Sequence, residues 1–232
     1  MIESAPPGDE KRPIRAQDAE AIQVLFTEHW SLLATRSLSY SESFSRVSMF
    51  LAILSGSVIA LALVAQAAHG ATFLAIAILM LSIVLLVGLT TFGRLVALNS
   101  ENIKWVKGMN LLRHAYLERN PDLAPYFIAG SHDDFRGIMT TMGFDRMPGG
   151  NLRSVFEGLQ TLPGTIAVLV SAVFGALLAL VALAFGAPEV VIVLAAAAAF
   201  GLSYVLFAEV GRRSFFRLMA GLEARFPTPK EP

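Results

Sequence analysis

Two uncharged apolar segments follow each other closely in the first half of the chain, over residues 47–68 and 71–93. A helix of the first segment's length is about 33 Å long, which matches a bilayer hydrocarbon core of roughly 30 Å. A soluble protein rarely carries two such runs in succession. The pattern therefore predicts two transmembrane helices, TM1 (47–68) and TM2 (71–93), with a tight turn near His69 and Gly70.

The second half of the chain repeats this arrangement. Residues 163–185 and 190–208 are again uncharged, and Gly186, Ala187, Pro188 and Glu189 lie between them. Pro163 stands at the start of the third segment, a helix position where proline costs little. The sequence predicts TM3 (163–185) and TM4 (190–208), and hence an all-α membrane protein with four transmembrane helices in two hairpins. One sequence does not decide whether the hairpins are a duplication.

Apolar residues recur at alternating spacings of three and four on both flanks of the first hairpin. This spacing places each set on one stripe of a helix, as in a packed helix–helix seam. If the chain folds back at His69 and Gly70, the numbers of paired residues add up to about 138 or 139. The stripe before TM1 contains Phe26, Trp30, Leu33, Ser37, Tyr40, Phe44 and Val47, and the stripe after TM2 contains Leu95, Leu98, Asn102, Trp105, Met109, Leu112 and Tyr116.

Each flanking stripe has one polar interruption, Ser37 in the first and Asn102 in the second. The predicted register places the two opposite each other, where a facing polar pair fixes the alignment of the arms. The alternative is that both side chains contact solvent. The first hairpin, residues 17–119, is accordingly expected to extend TM1 and TM2 by long helical arms.

Small residues recur at intervals of four in the first helix of each hairpin, which lets another helix approach closely in lipid. They are predicted to pack against helices, and lining a pore is the alternative. The stripe in TM1 contains Ser48, Ala52, Gly56 and Ala60, and the stripe in TM3 contains Ala167, Ser171, Gly175 and Ala179.

The remaining segments are polar or amphipathic. Residues 1–16 form a polar, proline-containing tail that is expected to be disordered and to lack a cleavable signal peptide. The connector, 120–162, is expected to hold a short helix at 121–128, a second helix capped by Ser131 with Asp134 three positions later, and an amphipathic turn at 151–162. Residues 209–232 predict an amphipathic C-terminal helix and tail. That helix either lies at the membrane surface or docks against the arms.

Charge distribution predicts the orientation. Net charge is zero, and the 18 Lys and Arg residues avoid all four spans and both short turns. They concentrate in 1–46, 94–162 and the segment after 208, so the positive-inside rule places both termini in the cytoplasm. We expect a multi-pass protein of the cell inner (plasma) membrane. Cysteine is absent, which excludes disulfides and zinc–thiolate sites.

Motifs for chemistry are missing from the sequence. The spans contain no Asp, Glu, Lys, Arg or His, and nucleotide-binding, zinc-protease and serine-hydrolase motifs are absent. His132, Asp133 and Asp134 are adjacent, so they do not converge easily on one metal ion, and capping is the preferred role. We expect no catalytic residue, cofactor or metal site and no nucleic-acid partner. The predicted function is a self-associating, non-enzymatic scaffold or accessory subunit in the lipid bilayer; the alternative is an oligomeric ion channel or pore-forming effector lined by hydroxyl groups.

Over residues 20–118, an arm helix, two spans with a very short turn and a second arm resemble the bacterial SLATT-type two-span membrane modules. That resemblance implies a pore-forming or membrane-perturbing effector role. The connector sequence Pro121-Asp122-Leu123-Ala124-Pro125-Tyr126-Phe127, followed by His132-Asp133-Asp134, is similar to bacterial polytopic membrane proteins of uncharacterised activity, which implies a family and no reaction.

Overall fold

The computed structural model describes residues 16–143 and 161–229. The predictions for the N-terminal tail and for most of the turn at 151–162 lie outside these ranges. The described chain is all-helical and contains no strand, which confirms the fold class at that level. Its elements are α1 (Ala16–Ala67), α2 (Ala71–Arg119), a 3-10 helix (Pro121–Tyr126), α3 (Phe135–Thr141), α4 (Leu162–Ala184) and α5 (Glu189–Ala220).

Four of these helices, α1, α2, α4 and α5, are long and apolar enough to cross a membrane. Gly70 lies between α1 and α2 with φ 61°, and Gly186 lies between α4 and α5 with φ 71°. Both angles fall in the left-handed region, where a side chain is disfavoured and glycine is not. These two glycines therefore allow each pair of long helices to be joined by a very short turn.

Contacts between α1 and α2 define their register. Arg36 donates a hydrogen bond to Asn102, and the Phe50 ring lies against Gly88; both pairs of numbers add up to 138. Leu32 lies against Gly108, and the numbers of this pair add up to two more than that value. Glu42 pairs with Arg94, and their numbers add up to two less. The contacts thus follow the alignment expected from a turn near residues 69 and 70.

Helix α2 lies at the centre of the fold, because it contacts α1, the 3-10 helix, α3, α4 and α5. Its apolar part packs in a main core that is shared with α1 and α4. The fully or almost fully buried members include Phe50, Leu81, Val84, Leu95, Ile166 and Val170.

A second, smaller core surrounds the arm of α2. Ile103 and Val106 of α2 pack there with Ile138 and Met139 of α3. Side chains of α5 and of the segment just after it cover them. Those covering side chains are Phe215, Leu218, Met219 and Leu222. Helix α5 therefore continues without a break from its apolar segment to a contact with the α2 arm.

Candidate functional site

The predicted seam between the arms is formed by different residues on the α1 side. On α2, the predicted stripe is buried or half-buried, with Leu95, Leu98, Asn102, Met109 and Leu112 all buried. On α1, the predicted stripe faces outward except at its last residue: Trp30 is 57% exposed and Phe44 is 58% exposed, whereas Val47 is half-buried against the main core. The prediction that the α1 stripe packs on α2 is wrong, because α1 presents the neighbouring face with Leu32, Arg36 and Phe50.

The predicted pair of Ser37 and Asn102 is also absent. Ser37 is exposed, and the buried Asn102 accepts a hydrogen bond of 2.8 Å from Nε of Arg36, the residue before it. The long Arg36 side chain reaches across the seam to Asn102. The Ser37 side chain is shorter and lies on the exposed side of α1. The partner of Asn102 across the seam is therefore Arg36 and not Ser37.

The two stripes of small residues have different surroundings. In α4, Ala167, Ser171 and Gly175 are buried and Ala179 is half-buried. A Cβ on Gly175 would lie 2.9 Å from the carbonyl oxygen of Ala196, so this glycine allows close approach of α5. The Ser171 Oγ is buried and has no hydrogen-bond partner among the described residues.

In α1, the corresponding glycine, Gly56, has no close neighbour. Gly56 is exposed and nothing lies within 4 Å of an added Cβ, while Ala60 is half-buried. Gly56 therefore makes no close contact with another helix of the described residues. Gly88 of α2 does make such a contact, because a Cβ there would lie 2.7 Å from Val170 Cγ2 and 3.0 Å from Phe50 Cε2.

The start of α3 corrects the predicted cap. Asp134, and not Ser131, is the N-cap residue, and its carboxylate accepts the N–H of Gly137 at 3.0 Å. Both residues are polar enough to cap a helix, so the sequence favoured neither on propensity alone. The predicted helix at 121–128 is a shorter 3-10 helix, since Pro125 lies inside it and lacks the N–H that an α-helix needs.

Asp133 has a different role, because it holds the C-terminal segment. The side chain is 1% exposed, and its oxygens accept the backbone N–H groups of Arg225 at 2.9 and 3.0 Å and of Phe226 at 2.7 Å. Lys107 Nζ lies 3.5 Å away and also donates to the carbonyl oxygen of Glu223. Burial by itself raises the pKa of Asp133, but these N–H groups and the ammonium outweigh it and hold the pKa below its usual value.

Further contacts fix the same segment. The ring of Phe226 stacks on His114, with centroids 3.9 Å apart and planes at 17°, and Thr228 donates a hydrogen bond of 2.7 Å to Asp134. The C-terminal segment thus docks on α2 and the connector. Of the two interpretations left open for residues 209–232, these contacts favour docking against the arms.

Asn110 joins α2 to the connector beneath this contact. It is fully buried, and its Nδ2 donates to the carbonyl oxygens of His132 at 2.7 Å and Gly137 at 3.2 Å. Its Oδ1 accepts from Arg113 and Thr141, each at 2.9 Å. A buried amide with every donor and acceptor used fixes one arrangement of the elements around it. We call Lys107, Asn110, His114, Asp133 and Asp134 the C-terminal docking site.

An ion-pair cluster joins the arms where the uncharged segments end. Arg94 binds Glu42 through two hydrogen bonds of 2.9 and 3.0 Å, Arg46 binds the same carboxylate at 2.8 Å, and Glu101 lies 3.3 Å from Arg94. Hydrogen bonds from Arg94 and then Arg46 lower the pKa of Glu42 to about 2. The carboxylate therefore stays charged and keeps the two arms aligned.

These clusters join helices and segments of the described chain. Within the described ranges, no group of three or more His, Asp or Glu residues is placed to hold a metal ion. The Asp133 carboxylate is occupied by backbone N–H groups. Several span hydroxyls bond their own helix: Ser82 donates to Ile78, Thr91 to Val87 and Ser203 to Ala199.

Sequence reasoning missed Arg36, Asn110 and Asp133 as contact-forming residues. Asn110 is the residue after Met109 of the α2 stripe and was not itself assigned to it. Asp133 was considered only with its neighbours, as a cap or metal ligand. An available signal for Asn110 was its position inside an apolar helix turn, since a buried amide needs partners. Three of the four partners, His132, Gly137 and Thr141, come from residues 22 to 31 positions away.

An apolar surface outside the uncharged segments is left exposed on α1. We define the arm stripe as Phe26, Trp30, Leu33, Ser37, Tyr40 and Phe44. All six side chains are exposed, and the residues that flank the stripe on one side, Thr27, Ala34 and Ser41, carry no charge.

Comparisons with known proteins give no match: no protein-family model, curated protein or solved structure is similar to the chain. Function is therefore inferred from the residues and geometry described above.

Proposed function

We propose that this protein is a non-enzymatic, multi-pass membrane protein that associates with further copies of itself and acts as a scaffold or accessory subunit. The observation that carries the proposal is the exposed arm stripe. Contiguous exposed aromatic and aliphatic side chains mark interaction surfaces, because soluble surfaces rarely keep such patches open to water.

A second copy is the partner that fits this stripe. Its residues repeat with the seven-residue spacing of a two-stranded coiled coil. Copies inserted in one membrane share one orientation, so their arms run parallel and residue 37 of one copy meets residue 37 of the next. Uncharged Thr27, Ala34 and Ser41 allow this approach without like-charge repulsion.

The proposed orientation has four membrane crossings with the arms, the connector and both termini in the cytoplasm. It is supported by the apolar length of α1, α2, α4 and α5 and by the confinement of Lys and Arg to one side of the predicted spans. The C-terminal docking site supports it as well, because it brings the charged ends of α2 and α5 to the same side.

The scaffold is favoured over the channel by the hydrogen bonds of the span hydroxyls. Thr90, Thr91 and Ser203 donate to carbonyl groups of their own helices, an arrangement that satisfies a hydroxyl in lipid without a water-filled path. Ion flux across liposomes that contain the purified protein separates the two functions, and we expect none above that of empty liposomes. A protein-dependent current would establish the channel instead.

Disulfide cross-linking tests the proposed dimer directly, because the chain has no native cysteine. We expect Ser37→Cys to give a covalent dimer on mild oxidation in membranes. Ser31→Cys is the matched control: Ser31 is exposed on α1 but lies off the arm stripe, and we expect little dimer.

Equal cross-linking of both variants, or of neither, would contradict the proposed interface. Retention of the protein in the membrane fraction after carbonate washing is measured on the same samples. Loss from that fraction would contradict the membrane assignment independently of the dimer.

A further inference from the structure

An apolar groove of about 390 Å³ lies between α2 and α5 where their uncharged segments end. Its walls are apolar residues from both helices, and the Phe92 and Phe207 rings contact each other with centroids 4.8 Å apart. The lining residues are Phe92, Gly93 and Val96 of α2 with Leu206, Phe207 and Val210 of α5. None of these six residues has a polar side chain, so this part of the groove suits an apolar chain.

The other end of the groove is polar. Ser214 and Arg217 complete its lining, and Arg217 also lines a neighbouring cavity of about 550 Å³ together with Arg212, Arg213 and Phe216. Arg217 lines both cavities, so the apolar groove lies next to a surface of α5 that carries three guanidinium groups.

Positive charge is in excess at this polar end. Glu209 binds Arg212 through two hydrogen bonds of 2.8 Å and Arg213 through one of 2.5 Å. Arg217 donates through Nε to the carbonyl oxygen of Arg213 at 3.3 Å, and no carboxylate of the described residues pairs with it. Three cations with one carboxylate leave a net charge of about +2, which favours a bound anion.

The guanidinium groups lie at the level where lipid headgroups are expected. Arg212 and Arg213 follow the predicted end of TM4 at residue 208 by four and five residues, about 6–8 Å along the helix. Side chains of a helix tilt toward its N-terminus, and the hydrogen bond from Arg217 to the Arg213 carbonyl shows that its side chain does so. Arg217 thus reaches back toward the groove.

We propose that the groove and the neighbouring arginines bind one anionic glycerophospholipid, with its phosphate between Arg217 and Arg213 and one acyl chain in the groove beside Gly93 and Val96. This inference rests on the proposed insertion into a membrane and adds a specific lipid site to it. A soluble phosphate compound fits only the polar half, whereas a lipid occupies both the charged and the apolar part.

Thermal unfolding of the full chain in mild detergent tests the site. We expect phosphatidylglycerol to raise the unfolding midpoint in a saturable manner, and phosphatidylcholine or glycerol 3-phosphate to leave it nearly unchanged. Arg217→Gln removes the guanidinium that the two cavities share, so the half-saturating phosphatidylglycerol concentration should rise about tenfold. Lys104→Gln, the same loss of charge on an exposed residue of the α2 arm, is the matched control and should respond like the unchanged protein.

A second variant tests the apolar half. Gly93 is exposed, and nothing lies within 4 Å of an added Cβ, so Gly93→Leu should fold and fill the groove. We expect it to lose the response to phosphatidylglycerol while its midpoint without lipid stays the same or rises.

Equal shifts with phosphatidylglycerol and phosphatidylcholine would overturn the proposal, as would a full response of either Arg217→Gln or Gly93→Leu. A full effect of glycerol 3-phosphate alone would reduce the site to a soluble-anion site and overturn it too. Carbonate-resistant retention in membranes, measured in parallel, shows whether a negative result concerns this site alone or the membrane assignment beneath it.

Discussion

The two arms of the first hairpin carry the same spacing of apolar residues but occupy different environments. On the α2 arm, Leu98, Asn102 and Met109 are buried, whereas Trp30 and Phe44 of the α1 arm are more than half exposed. A periodic stripe therefore indicates an apolar face of a helix. It does not indicate whether the covering element belongs to the same chain.

The largest expected difference between the arms comes from a charge placed at matched apolar positions. Ile103→Asp puts a carboxylate at a fully buried site and should lower the free energy of unfolding by more than about 4 kcal/mol. Trp30→Asp changes an exposed side chain and should cost the monomer no more than about 1 kcal/mol, while it abolishes self-association.

Chemical denaturation of the dissociated protein measures both stability changes, and cross-linking measures association. If Trp30→Asp were as damaging as Ile103→Asp, the arm stripe would be part of the monomer core, and the contrast between the arms would disappear.

A smaller difference is expected between one glycine of α1 and one of α2. Gly88→Ala places a Cβ 2.7 Å from Val170 Cγ2, so neighbouring side chains must move, and we expect a loss of about 1–2 kcal/mol. Gly56→Ala meets nothing within 4 Å and should stabilise the helix by up to about 1 kcal/mol. Unfolding midpoints of the two variants give the comparison, and opposite signs are the expected result.

The smallest expected effect concerns the ion-pair cluster that joins the arms. The pKa of Glu42 is about 2 in the folded protein and near its ordinary value of 4.5 when the chain unfolds. Its stabilising contribution is therefore present above pH 4.5 and is lost as the pH falls toward 2. Glu42→Gln should lower the midpoint at pH 7 by about 1–3 °C, as for an exposed ion pair, and the difference from the unchanged protein should vanish near pH 2.

Glu118→Gln on the exposed end of α2 controls for the loss of one carboxylate. A difference for Glu42→Gln that persisted at pH 2 would mean that the charge of this carboxylate is not what aligns the arms.

Much of the helical framework was predictable because its signals are local. Uncharged runs gave the four long apolar helices, and Gly70 and Gly186 lie where the chain reverses. The register of α1 on α2 followed from the position of the first turn. Asn102 could be singled out because it is one polar residue in an apolar stripe.

The rest depends on contacts between distant residues. Which face of α1 meets α2 is decided by packing of Phe50 against Gly88, and the flanking pattern of Phe26 and Trp30 carries no information about it. Asp133 binds backbone N–H groups of Arg225 and Phe226, more than 90 residues later. A backbone donor has no side-chain signature, so this docking was not visible in the sequence.

The unbroken course of α5 has a mechanical consequence. Between residues 208 and 220 the helix extends about 18 Å beyond its apolar part. Asp133 and His114 bind the segment that follows it. A rigid rod held at its far end acts as a lever. Pivoting the apolar part by about 10° would displace that end by about 3 Å, enough to break the hydrogen bonds that hold Phe226.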